Sequence, residues 1–478
     1  MKRAPTPMER LRRNAEARKI RFLRWQARHL SQSTLMIIVS FVIGISAGLA
    51  ATTLKCGVSS LSRLCHLGTD IFAVNWRYLW LPLFGILLTS FYQHRLCGYS
   101  FARGTYILGY DLLHRQYRLS PFTVFNPLIG CSLTMGMGAS AGTEGPVALS
   151  AAAIGSNLGR WFGLSNSWLR IFVGVGAGAG IAAIFTAPVA GVLYSIEVLQ
   201  MEITTFPLVG LIIACVTAAV TVFMLTGMSI DIPFDNSLVF EPRLMGWVVL
   251  FGFICGLYSI YYNYTKMTSF RLFSRIGNPL IAALATGGLL SIGVTMFPVL
   301  YGTGGGTMTD ILNGRYFSFT AGGIFTVEWE TLGWALTGAG AVLLLKGVLV
   351  AASYSGGGVA GEFVPTLFAG CVLGWLFGTG CNAWLGTELP PWFFALLGMG
   401  AVMGGCIHAP VMAFFVVVET TNTFSFIVAY FVVIVVAYVT VKVLTPKKYF
   451  NNGLNDLLAL RIEKRTPDLY TPTFLDEG

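Results

Sequence analysis

Gly142-Thr143-Glu144-Gly145-Pro146 places one carboxylate in a glycine-rich break, directly ahead of a proline and a helix of small residues. Proline at the start of a helix costs no hydrogen bond, and the first backbone N–H groups of that helix stay free to face an anion. The flanking glycines let the backbone come close to whatever occupies the site. A second break of the same form, Gly361-Glu362-Phe363-Val364-Pro365, opens another apolar helix in the second half of the chain. The likeness continues downstream, where residues 176–197 lie over residues 398–419 without a gap. In both copies a glutamate, Glu197 or Glu419, stands ten residues after the alanine of an Ala-Pro pair, Ala187-Pro188 or Ala409-Pro410. Duplicated halves with interrupted apolar helices mark a transporter or channel, with its site where the two breaks meet near the midplane.

Composition agrees with that reading. The 478 residues are 55% hydrophobic and only 11% charged, with 56 glycines, which excludes an ordinary soluble domain and fits an all-α polytopic membrane protein. In hydrocarbon a non-helical break survives only where it is buried in protein or lines an aqueous path, so Glu144 is a functional candidate by its position. Ten of the 31 Lys and Arg residues fall between Lys2 and Arg28, which by the positive-inside rule makes the N-terminus cytoplasmic. Topology and contact with anionic lipids, rather than nucleic acid, account for this arm. No small-residue cleavage site follows the first apolar run, which speaks against a signal peptide. The expected organisation is a basic cytoplasmic arm (1–32), a first repeat half (33–228), a second (229–445) and a cytoplasmic tail (446–478) too short for a regulatory domain.

The first apolar run, 34–54, is long enough to cross a bilayer once. A polar loop is expected after it, holding Cys56 and Cys65, and a disulfide between them is left open. The other cysteines read as small core residues. Several later apolar runs, among them 147–158, 366–377 and 393–403, are too short to span, which indicates half-helices and tilted helices. Residues 411–444 read as one long apolar run. No His, Cys or carboxylate cluster has metal spacing and no Ser, His and Asp set suggests an enzyme, so neither a cofactor nor catalysis is expected.

Three stretches in register resemble one family. Gly-Thr-Glu-Gly-Pro, Gly-Glu-Phe-Val-Pro and Ala-Pro-Val-Ala-Gly-Val-Leu-Tyr-Ser-Ile-Glu are similar to the G-x-E-G-P, G-x-F-x-P and A-P-x-A-G-x-L-F-x-x-E stretches of the CLC chloride channels and proton-coupled chloride transporters. The resemblance covers roughly residues 34–457 and implies a CLC-like inverted repeat. It also implies a homodimer in a bacterial inner membrane, each subunit with its own path for chloride or a similar small anion. Carried over, Glu144 looks like the gating glutamate, flanked by Gly142 and Gly145. Glu362 and Phe363 supply backbone N–H groups to the anion, and Gly361 permits its approach. Tyr449 resembles the tyrosine that faces the anion from the cytoplasmic side. Lys346 resembles a basic residue that the family places fifteen positions before the second motif. Glu197 and Glu419, being repeat-related, are read as holding loop amides beside the Ala-Pro turns, and His408, aligned with Thr186, as a packed histidine.

Two departures bear on mechanism. Proton-coupled members carry a second glutamate immediately after the one matched by Glu197, and here that place is Val198. Glu202, one helical turn on, is the remaining candidate for an inner proton route. The family's G-S-G-x-P loop is absent, and its spacing lands on Arg103 where a serine hydroxyl would face the anion. We expect Arg103 to pair with Glu362, so that neither charge stands alone beside the path. The resulting expectation is channel-like or weakly proton-coupled anion transport. A chloride/proton antiporter, or a carrier of another ion or organic anion sharing the duplicated design, are the alternatives.

Overall fold

The computed structural model describes residues 21, 28–66, 74–98, 101, 107–109, 112, 117–201, 204–227, 241–315, 318–326 and 331–445. Eight helices among them are long and apolar enough to cross a membrane.

Helix α1, Gln32–His66, starts where the Ser31 hydroxyl accepts the Thr34 amide at 3.1 Å, satisfying one of the donors every helix start leaves open. It does not stop at the end of the apolar run. Cys56 and Cys65 both lie on α1 rather than in a loop, and both are free thiols. Nine helical residues set them about 13.5 Å apart along the axis, too far for a disulfide.

The first half continues through α2 (Leu81–Phe91), α3 (Asn126–Gly136), α4 (Glu144–Trp161), α5 (Asn166–Phe185), α6 (Pro188–Leu193) and α7 (Thr205–Thr226). The second half holds α8 (Met245–Ser274), α9 (Pro279–Met296), α10 (Gly305–Leu312), α11 (Leu332–Ser355), α12 (Phe363–Leu385), α13 (Pro391–Ile407), α14 (Pro410–Thr421) and α15 (Ile427–Leu444). Helices α4 and α12 outrun the apolar stretches that announced them at both ends, taking in Glu144 or Phe363 of the motif at the start and a polar residue such as Arg160 or Asn382 at the end. Asn422, at φ 55°, splits the apolar run 411–444 into α14 and α15.

The repeat is written into the backbone as well as the sequence. Helices α5 and α13 both end on a left-handed residue, Thr186 (φ 53°) and His408 (φ 62°). Extended Ala187 (φ −128°, ψ 85°) and Ala409 (φ −125°, ψ 74°) follow, and proline then opens the next helix. The residue before a proline is pushed out of the helical region, so each Ala-Pro pair forces the break. Helix α4 packs on α5 and α12 on α13, in both pairs with backbone against backbone. A Cβ on Gly370 or on Gly398 would meet the other residue's carbonyl oxygen. Small residues at such crossings permit the close approach that substitutes for a hydrophobic driving force in lipid.

One buried cluster runs through both halves, joining Leu149 and Phe172 to Phe251, Phe394 and Met412. Apolar stripes at helical spacing are turned outward instead, Val209, Ile212, Val216 and Val220 on α7 and Val428, Phe431, Val435 and Val439 on α15. Apolar on both inner and outer faces is the pattern of a helix that lies within a bilayer.

Candidate functional site

The two motifs meet. Gly142 and Gly361 exchange backbone hydrogen bonds, with Gly142 N–H donating to the Gly361 carbonyl at 3.0 Å and Gly361 N–H to the Gly142 carbonyl at 2.7 Å. This antiparallel bridge brings the starts of α4 and α12 together from the two halves of the chain. Both helices thereby begin at one place, where the first-turn N–H groups that a helix leaves without an intrahelical partner, and the helix dipoles, favour negative charge.

Glu144 supplies that charge. Its side chain is fully buried, and its Oε1 accepts from the Phe363 N–H at the first residue of α12. The other oxygen, Oε2, has no hydrogen-bond partner among the described residues. A Cβ at Gly142 or at Gly361 would fall on this carboxylate, so the two glycines are the cradle in which it sits. Gly145 is buried in the first turn of α4, and the Phe363 ring packs edge-on against Tyr194 with centroids 5.9 Å apart.

Glu362 is the N-cap residue of α12, and its carboxylate is paired with Lys266 of α8, Nζ to Oε2 at 2.7 Å. The pair is enclosed, with side-chain exposures of 6% and 10%. Arg103, the partner expected from sequence, lies outside the described residues, as do Tyr449 and Glu202. Among the described residues the cation on Glu362 is Lys266. Lys266 escaped notice because it lies beyond the apolar part of α8, although a lysine continuing an intramembrane helix is itself a signal.

Further contacts hold the loops in place. The Thr134 hydroxyl on α3 accepts the Val359 amide at 2.9 Å. Gln93 receives the Phe101 amide at 3.1 Å and donates to the Gly357 carbonyl. Lys346 on α11 donates to the Ser140 hydroxyl at 2.9 Å.

Glu197 and Glu419 do as the repeat suggested, and they do it reciprocally. The Glu419 carboxylate accepts from the Val189 and Ala190 amides at 3.1 and 2.9 Å, at the start of α6. The Glu197 carboxylate accepts from the Val411 and Met412 amides at 3.3 and 2.7 Å, at the start of α14. Each half therefore caps a helix of the other. Glu419→Ala and Glu197→Ala should each lower stability by about 1–2 kcal/mol, the worth of a lost cap, read as matched drops in unfolding temperature in detergent. Equal unfolding temperatures for wild type and variants would show the caps to be idle.

Comparison with known proteins sets this geometry among relatives. Residues 110–442 match the model of a family described as voltage gated chloride channel. A putative ClcB-like chloride channel protein of Ralstonia nicotianae is 31% identical over 65% of this chain and 69% of its own length. The H(+)/Cl(-) exchange transporter ClcA of Vibrio cholerae is 26% identical over 82% of this chain and 83% of its own. Among solved structures, a slow cyanobacterial Cl-/H+ antiporter superposes with a TM-score of 0.74 at 21% identity, covering 90% of this chain and 99% of that one. A CLC-type fluoride/proton antiporter follows with a TM-score of 0.67 at 22% identity, over 86% and 96%.

Proposed function

The chain belongs to the voltage gated chloride channel family of anion transporters, and from that premise we propose that it passes chloride along a path gated by Glu144. The observation that carries this is the Glu144 carboxylate on the Phe363 amide, at the N-terminus of α12. A carboxylate and a chloride compete for the same N–H groups. Protonating the carboxylate removes the competitor, and the vacated N-termini then take the anion. Gly142, Gly145 and Gly361 give the moving group and the anion close access to backbone, while Glu362 and Phe363 contribute amides rather than side-chain charge. Tyr449 is assigned to the cytoplasmic end of the path by resemblance. The protein acts as a homodimer with both termini in the cytoplasm.

Chloride flux from liposomes, with external proton concentration recorded alongside, tests the reading. Val198 closes the π-helical turn Tyr194–Val198, where proton-coupled members of the family carry a second glutamate, and a valine cannot titrate. A chloride gradient should therefore drive little or no proton movement. The second reading, a coupled exchanger, draws on the exchange transporter among the relatives. Stoichiometric proton pumping that disappears in Glu202→Gln would establish it and displace the channel-like mechanism.

A further inference from the structure

Gln93 ties two loops together with one side chain. It stands on the π-helical turn Tyr92–Cys97 that follows α2, and it is fully buried. Its Oε1 accepts the Phe101 N–H at 3.1 Å, and its Nε2 donates to the Gly357 carbonyl. A buried amide is tolerated only where its polar atoms are met, and here both the oxygen and the nitrogen are used. The side chain is no part of the Glu144 cradle, the Lys266–Glu362 pair or the reciprocal caps.

The loop it holds leads into the second motif. Gly357 takes φ 97°, in the left-handed region, and a Cβ there would meet Ser90 of α2. Two residues on, the Val359 amide is held by Thr134, whose hydroxyl bonds to that of Thr89 on α2 at 3.0 Å. A Cβ on Gly130 of α3 would meet both the Phe101 ring and the Val359 side chain, so those two pack side by side. Gly361 follows, bridged to Gly142, and then the Glu362 and Phe363 amides. The loop is thus fixed at one end to the start of α4 and at the other to the end of α2. The matching position in the first repeat, Gly138 at φ 104°, is braced differently. There the Tyr301 ring lies against the glycine, and the Tyr301 hydroxyl donates to the Gly136 carbonyl at 2.9 Å. A ring fills space, whereas the planar amide of Gln93 sets the separation of the two segments it joins.

We propose that Gln93 is a positioning residue that sets how sharply the path discriminates among small monovalent anions, by fixing the far end of the loop that carries the Glu362 and Phe363 amides. This rests on the anion-transport reading above and adds a specificity-determining residue to it. An anion gives up water to enter the path, and donors held at a fixed separation repay that loss best for an anion of matching size. Donors free to shift repay it poorly, so the cost of dehydration decides and large, weakly hydrated anions gain. Gln93 carries no charge, so it acts on spacing and not on the overall attraction for anions. Efflux of chloride, bromide and thiocyanate from liposomes is compared for wild type, Gln93→Met, Gln93→Asn and Tyr430→Phe. Methionine keeps the volume and loses both hydrogen bonds, while asparagine keeps the amide on a stem one methylene shorter, unable to span both partners. Both variants should pass chloride with a thiocyanate-to-chloride ratio raised about fivefold, the worth of roughly one neutral hydrogen bond. Tyr430→Phe loses the 2.8 Å contact with Thr423 beside α15, so it should lose stability and keep the wild-type ratio.

A Gln93→Met protein with the wild-type ratio overturns the proposal and leaves Gln93 as packing. The wild-type ratio in Gln93→Asn overturns it too, since one partner would then suffice. So does a Tyr430→Phe ratio shifted as much as that of Gln93→Met, which would trace the change to lost stability alone. Failure of both Gln93 variants to fold overturns it by making the amide a requirement of the fold. Wild type that moves none of the three anions would instead remove the anion-transport reading, and the proposal with it.

Discussion

Glu144→Gln should leave chloride flux intact at neutral pH, raise it above wild type, and abolish its dependence on external pH. Glutamine fills the same buried cradle between Gly142 and Gly361 but brings no charge to the Phe363 amide. A hydrogen bond to a charged group contributes roughly 1.5–3 kcal/mol and a neutral one about 0.5–1.5 kcal/mol. The incoming chloride thus faces a competitor weaker by about 1–2 kcal/mol, or roughly tenfold in occupancy. Acid should have the same effect on the wild type, whose flux should climb toward that of the variant as pH falls, since protonation and the substitution remove the same charge. A Gln variant that is folded and dimeric but inactive would refute the gating role. A Gln variant with the pH profile of wild type would refute it too, by placing the titrating group elsewhere.

What could be read in advance follows from what local sequence carries. Glycine and proline act on the backbone where they stand, so the two motif breaks and the Ala-Pro turns were visible before any contact was known. The reciprocal caps of Glu197 and Glu419 were legible in kind because the repeat put both acids in one register, although which helix each would cap was not. Reading Cys56 and Cys65 as a loop failed for a physical reason. A helix that outruns the apolar stretch fills its last turns with polar residues, and composition alone cannot tell such turns from a loop. The Lys266–Glu362 pair was illegible for another. Its members lie 96 residues apart, and nothing local to Glu362 names the cation that meets it.

That pair gives the largest effect on stability. Lys266→Met should take the Lys266 ammonium away from the Glu362 carboxylate, which is enclosed at 10% exposure. Removing one partner of a buried pair costs about 3–5 kcal/mol where the remaining charge is left wholly uncompensated, which sets the upper bound for the loss here. The N-terminus of α12 recovers a fraction of this through its dipole, but in doing so the carboxylate takes up the positive potential the anion needs. Stability and chloride flux should therefore fall together. Glu362→Gln exposes the opposite charge, so it should bind chloride more tightly and release it more slowly, since conduction needs binding that is favourable but escapable. Lys266→Met combined with Glu362→Val removes both charges and should recover most of the lost stability, because well-packed apolar residues often replace a buried ion pair at no loss. Circular-dichroism melting of the two single variants and the double variant decides it. A double variant no more stable than Lys266→Met alone would mean that the pair is not coupled, and that Lys266 serves α8 through its aliphatic stem.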